Sequence, residues 1–226
     1  MVKSRKVEED CIASEAILRG ITMTAQRLMD YKLVRQCAPT LAARKVGSLF
    51  CMEKAPAEHE PLCAILARWN RELNPSGIFV RIVAERCGRS FVYVYRRNVL
   101  SQLFNKNEIR QFLGVYGYQH FDEETLIAKL THRIAKCHCF PHEIGLFLGY
   151  PLEDVKGFIA NGGQNCKSTG YWKVYGDVAE SEKKFECFRK CFSVMSSLFE
   201  RGYSLPMLAV ASTKNCSIRQ PERNAA

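Results

Sequence analysis

His142 and Glu143 stand side by side in a punctuated, apolar stretch, FPHEIGLFLGYPLEDVKGFIANGG, spanning residues 140–163. An imidazole beside a carboxylate has the elements of general acid–base chemistry. Consecutive helical residues, however, project about 100° apart, which disfavours a direct dyad. Glu143 is therefore expected to support the first turn of a helix, where the dipole favours a carboxylate. His142 is the candidate proton donor or acceptor if a reaction occurs, with Glu143 as its candidate catalytic neighbour.

A second constellation follows in Gly170-Tyr171-Trp172-Lys173-Val174-Tyr175. Read as a strand, it puts Tyr171, Lys173 and Tyr175 on one side and turns Trp172 and Val174 to the core. Two phenols flanking an ammonium suit a flat anion, through stacking and charge pairing. Asn161 and Asn165, in the intervening Asn-Gly-Gly-Gln-Asn turn, offer amides, and Lys156 offers a further cation.

Two other chemistries compete. Cys137-x-Cys139-x-x-His142 with Cys187-x-x-x-Cys191 places soft ligands in reach of zinc or an iron–sulfur cluster. The spacing matches none of the paired Cys-x-x-Cys patterns, and thiols at i and i+4 on an apolar helix commonly serve as small buried hydrophobes. No metal ligand is assigned and the cofactor is left unknown. The Pro- and Gly-punctuated helical pair also resembles a helix-turn-helix. Its second helix would present Glu153 and Asp154 to phosphates, which disfavours DNA reading. No nucleophile elbow, P-loop, dinucleotide fingerprint or H-E-x-x-H occurs, so the sequence does not decide whether the protein is an enzyme.

These residues must be held by a scaffold, and the pattern of apolar residues indicates which. Helical spacing is expected over 8–33, 61–73, 99–104, 108–113, 122–136 and 178–199. Pro39 is expected to turn the chain into a short strand at 48–52. Ile78, Val80, Ile82 and Ala84, a Cys87-Gly88-Arg89 turn and the run Phe91–Tyr95 predict a hairpin over 78–96. Pro141 and Pro151 each open a short helix, and Asn161-Gly162-Gly163 closes the second. The fold class is α+β, a small antiparallel sheet among helices, in a single domain over 1–213 with a polar, disordered tail over 214–226.

Composition bounds the setting. The chain of 226 residues carries a formal charge of +10, but its Lys and Arg residues are scattered rather than blocked, so a nucleic-acid partner is not expected. Nothing approaches the roughly eighteen apolar residues of a membrane span. Eleven cysteines in no repeated framework fit a reducing cytoplasm better than an oxidising compartment.

The segments FPHEIGLFLGYPLEDVKGFI and GYWKVYGD, the later Phe185-x5-Cys191 and the earlier APTLAARKVGSLF resemble a bacterial family known as domain of unknown function 3793 (DUF3793), found mainly in anaerobes. The resemblance covers about residues 30–195; Ala43 and Val46 depart from its first block. It includes Pro141, His142, Glu143, Lys156, Asn161, Tyr171, Trp172, Lys173 and Tyr175, and it does not require Cys137 or Cys139. It implies a reduced cytoplasmic setting but no activity that could be transferred.

The expectation is a pocket between the 140–163 helical pair and the 170–176 strand that binds a small anionic cofactor or metabolite. The alternative is a protein-interaction module using the same aromatic face; thiol-based metal handling and DNA binding rank lower.

Overall fold

The computed structural model describes residues 24–53, 60–136 and 140–211. The expected helix from residue 8 and the tail over 214–226 fall mainly or wholly outside these segments, as do Cys137 and Cys139. Among the described residues no helix is long and apolar enough to cross a membrane.

The fold is α+β, and its organising layer is a three-stranded antiparallel sheet of β1 (Gly47–Glu53), β2 (Ile78–Arg86) and β3 (Arg89–Arg96), in the order β1-β3-β2. The hairpin read from the sequence is β2–β3, turning through Cys87 and Gly88, both at positive φ. Strand alternation makes the sheet two-sided. Val92 and Val94 of β3 join one core with Phe50, Val80 and Trp69, while Tyr93 and Tyr95 join a second core on the opposite face. A bulge between Ile82 and Ala84 switches the phase of β2 and brings Val83 into the second core.

Helices cover both faces. On the first lie α1 (Ala25–Leu41), α2 (Leu62–Leu73), the long α8 (Val178–Glu200) and the short α9 (Leu205–Leu208). On the second lie α3 (Arg97–Phe104), α4 (Asn107–Gly114), α5 (Glu123–Lys136), α6 (Ile144–Phe147) and α7 (Leu152–Ala160). The amphipathic stripe expected on α5 is present: Leu126, Ile127, Leu130 and Ile134 are all buried. β4 (Ser168–Thr169) and β5 (Lys173–Val174) form a separate two-residue ladder.

One local expectation fails at Pro39. The proline was read as the point where the chain turns, yet α1 runs through it to Leu41. A proline costs a helix its own N–H donor and crowds the preceding turn. Here it sits in the last turn, and its carbonyl accepts from the backbone N–H groups of Arg44 and Lys45. Arg96, fully buried, donates from Nε to the Thr40 carbonyl (2.5 Å) and from Nη2 to the Leu41 carbonyl (2.6 Å). Tertiary partners thus take over the helix end that local propensity would have broken earlier.

Immediately after α1, Gly47 lets β1 approach the second core. A Cβ there would stand 2.6 Å from the Tyr93 ring, 2.7 Å from its hydroxyl and 2.8 Å from the Phe147 carbonyl. That hydroxyl donates to the Phe147 carbonyl (2.7 Å), linking the sheet to α6. Gly47→Ala must displace this buried bond, and a loss of about 1–3 kcal/mol in urea-unfolding stability is expected.

Lys45, on the same connection, has an unusual environment. Its ammonium lies 5.9 Å from the ring centres of both Tyr150 and Phe188, and no carboxylate pairs with it among the described residues. Burial lowers its pKa from 10.5 to about 8, partly offset by the neighbouring Cys37 thiol. Burial pushes that thiol the other way, from 9.0 to about 12. Between pH 8 and 9.0 the unfolded chain therefore holds a proton that folded Lys45 releases, so this residue makes stability rise with pH. Above 9.0 the Cys37 thiol, protonated only when folded, works against that rise. Urea titrations are expected to show that Lys45→Met gains most over the native chain below pH 8 and that the gap narrows by pH 9.0.

Candidate functional site

The two short helices meet at glycines. Gly149 takes a φ of 79° and rests against Val46, turning α6 into the approach to α7. Pro151 occupies the N-cap position of α7, as its fixed φ allows, and Glu153 and Asp154 fill the first turn. Pro141, by contrast, precedes a turn, and α6 begins only at Ile144 and lasts one turn.

Asp154 does more than complement the helix dipole. It is 2% exposed and accepts three hydrogen bonds from the aromatic ribbon. Trp172 Nε1 donates to Oδ2 (2.7 Å), while the backbone N–H groups of Tyr175 and Gly176 donate to Oδ1 (2.7 and 2.8 Å). One buried carboxylate thereby docks residues 172–176 onto α7. The approach is close enough that a Cβ on Gly157 would collide with Tyr175, and one on Gly170 with Phe185 of α8.

Between α6, α7 and this ribbon lies a cavity of about 300 Å3. Phe140, Ile144, Val155, Phe158 and Trp172 supply most of its apolar wall, and His142, Asp154 and Lys173 supply its charged or titratable groups. Tyr150 closes one side, its ring stacked on Trp172 at 4.9 Å between centroids. The His142 ring meets Phe158 edge-on at 5.1 Å. His142 itself is exposed, so it stands at the rim rather than in the depths. Lys173 is half-buried and donates to the Gly163 carbonyl (2.5 Å).

His142 and Lys173 are thus brought to one hollow, as the sequence suggested. The other predicted residues take different places. Glu143 is fully buried, ion-paired with Arg133 of α5, and accepts a long bond (3.4 Å) from the Tyr118 hydroxyl. Burial, reinforced by the Glu143 charge, raises the Tyr118 pKa. Glu143 therefore ties α5 to α6 and is not part of the cavity wall. Lys156 extends toward the Phe112 ring (5.9 Å), and Asn161 turns its amide back to the Gly157 carbonyl (2.8 Å). Asn165 is exposed at a φ of 57°.

The expected alternation holds in burial, since Trp172 and Val174 join Phe185 and Phe188 in a small core, but the two phenols are engaged elsewhere and do not flank the Lys173 ammonium. Tyr171 packs on Phe185, Phe188 and Phe192 of α8, and Tyr175 donates its hydroxyl to the Gln164 carbonyl (2.8 Å). Trp172 and Lys173, adjacent in sequence, both line the cavity. Only two residues of the ribbon are in a ladder, so the pleat does not keep Tyr171 and Tyr175 beside Lys173.

Asp154 and Trp172 are among the wall residues that the sequence reading did not assign to the site. A buried indole needs a hydrogen-bond acceptor, and a search for that acceptor would have led to Asp154.

The thiols tell a separate story. Cys187 and Cys191 are half-buried on α8, and burial together with the Cys187 sulfur raises the Cys191 pKa to about 11. Among the described residues no group of three or more His, Cys, Asp or Glu side chains is placed to hold a metal ion. The Cys137 and Cys139 arm of the proposed cluster lies outside those residues.

No curated protein and no solved structure matches the chain. A family model does, over residues 33–209, which takes in both cores, the two short helices, the ribbon and α8. With that extent matched, the chain belongs to the family described as protein of unknown function (DUF3793).

Proposed function

We propose that the protein binds a small anionic metabolite or cofactor in the cavity between α6, α7 and the ribbon, with Lys173 as the attracting charge. The observation that carries this reading is the concave, largely aromatic hollow that has Lys173 in its wall and His142 at its rim. Its volume lies at the lower end of the roughly 300–1,000 Å3 typical of ligand pockets. An ammonium has three donors, and the one hydrogen bond Lys173 makes among the described residues, to Gly163, leaves two. His142 is positioned to exchange a proton with an occupant should a reaction follow.

An interaction module would rely on Tyr171, which is 36% exposed. Its ring is already engaged by three phenylalanines of α8, and a concave wall suits a small molecule better than a protein face. The test is a ligand-observed NMR screen of small metabolite acids against the native chain and Ile144→Trp, which fills the hollow. Hits that vanish in the filled but folded variant are expected. If every hit binds both proteins equally, the cavity is not the binding site.

A further inference from the structure

Resting on the ligand-binding reading above and narrowing it, we infer that the occupant is a single-ring aromatic or heteroaromatic monocarboxylate. Its ring lies against the aromatic wall and its carboxylate meets the Lys173 ammonium. Three features select this class over its neighbours.

The first is shape. Phe140, Phe158, Trp172 and Tyr150 contribute ring surfaces to a hollow of about 300 Å3. Aromatic rings prefer offset-stacked or edge-to-face partners, so a flat ring gains specific contacts that a flexible alkyl chain of equal area does not. The small volume holds one ring with a short substituent and leaves little room for a fused nucleobase carrying a sugar.

The second is charge. Among the described residues Lys173 is the one lysine or arginine in the wall, and Asp154 is a carboxylate in the same wall. A phosphate monoester brings close to two negative charges and three acceptor oxygens, and is normally met by several donors or an arginine fork. Here the wall offers one ammonium, with no arginine fork and no second lysine among the described residues to balance a dianion. A monoanion matches the single cation; a dianion overloads it.

The third is donor balance. A cluster of Trp, Tyr and Phe rings beside an aspartate would ordinarily suit a quaternary ammonium. Both Asp154 oxygens are already committed, Oδ2 to the Trp172 indole and Oδ1 to two backbone N–H groups. That carboxylate is spent on holding the ribbon, while the Lys173 ammonium retains free donors and repels a cation. A neutral ring would fill the apolar wall but leave those donors to water.

The experiment is a calorimetric titration of the full chain with benzoate, nicotinate, phenyl phosphate, benzyl alcohol, hexanoate and choline. Benzoate or nicotinate is expected to bind tightest, with each of the other four weaker by about tenfold or more. Lys173→Met is expected to lower benzoate affinity by about tenfold or more and to leave benzyl alcohol binding unchanged. If phenyl phosphate, hexanoate, choline or benzyl alcohol equals or exceeds the aromatic acids, this class is wrong although the cavity still binds ligands. If no probe binds at millimolar concentration, the ligand-binding reading and its narrowing fall together. The native-chain ranking decides the matter even if the Lys173 variant does not fold.

Discussion

Replacing Asp154 with alanine is expected to destabilise the protein by about 3–5 kcal/mol and to abolish ligand binding with it. The carboxylate is 2% exposed and accepts from three N–H donors, one from the Trp172 indole and two from the backbone at Tyr175 and Gly176. Hydrogen bonds to a charged acceptor contribute about 1.5–3 kcal/mol each, and stranding buried donors adds its own cost. The ladder beside it is two residues long on each side, and Asp154 supplies the polar contacts that join the ribbon to α7 itself. Release of the ribbon removes Trp172 and Lys173 from the cavity wall. Asp154→Asn separates charge from shape: it keeps one acceptor oxygen but presents an amide donor to either the indole or the backbone pair. Its loss is expected to be smaller, about 1–3 kcal/mol. Urea denaturation followed by tryptophan emission measures both variants, because Trp172 would become wetted while Trp69 stays in the first core. An alanine variant as stable as the native chain would show that the ribbon is held by something other than this carboxylate.

Arg96→Met is the other substitution with a large expected effect, a loss of about 3–4 kcal/mol. Arg96 ends β3 at 0% exposure. Beyond the Thr40 and Leu41 carbonyls of α1, its guanidinium reaches the Val210 carbonyl (2.8 Å) and, at longer range, that of Ser76 (3.4 Å). The last carbonyls of a helix have no partners within it, and here they are too deeply placed for water to supply them. Methionine fills much of the volume but donates nothing, so the buried Thr40 and Leu41 carbonyls keep only the backbone N–H groups of Ala43 (3.2 Å) and Val210 (3.0 Å), and the Val210 carbonyl loses its guanidinium partner. Relief from desolvating the guanidinium offsets part of the loss. Arg96→Lys is expected to recover only a fraction, because a point charge cannot span a helix end and the Val210 segment as a planar fork does. A fall of less than about 1 kcal/mol for the methionine variant would mean that the α1 terminus and the Val210 segment are secured independently of Arg96.

The sequence was most legible where periodicity had length to work with. The β2–β3 hairpin and the α5 and α8 helices lie within a few residues of where their apolar spacing placed them. The valine–tyrosine alternation of β3 is the mark of a strand covered on both faces. Pro39 was misread because its helix end is completed by Arg96, more than fifty residues later in the chain. In the ribbon, alternation located the buried Trp172 and Val174 but not the places of Tyr171 and Tyr175, because the segment owes its shape to Asp154 as well as to its short ladder. His142 and Lys173 do share a hollow, while Glu143, chemically plausible beside His142, is spent on Arg133 beneath the helix. Adjacent residues on a turn point to different places, and the partner that decides which one faces a cavity comes from elsewhere in the chain.

The account turns on the hollow beside Trp172 being a place where a ligand sits. The chain has two tryptophans, Trp172 in the cavity wall and Trp69 buried at 0% exposure with its indole donating to Asp30 (2.8 Å). Fluorine NMR of the fluorotryptophan-labelled protein therefore reports the site and an internal control at once. Titration with benzoate is predicted to move the Trp172 resonance saturably and to leave Trp69 unmoved. A Trp172 resonance that stays fixed with benzoate and with every other probe of the panel, or that moves only in step with Trp69, would contradict it.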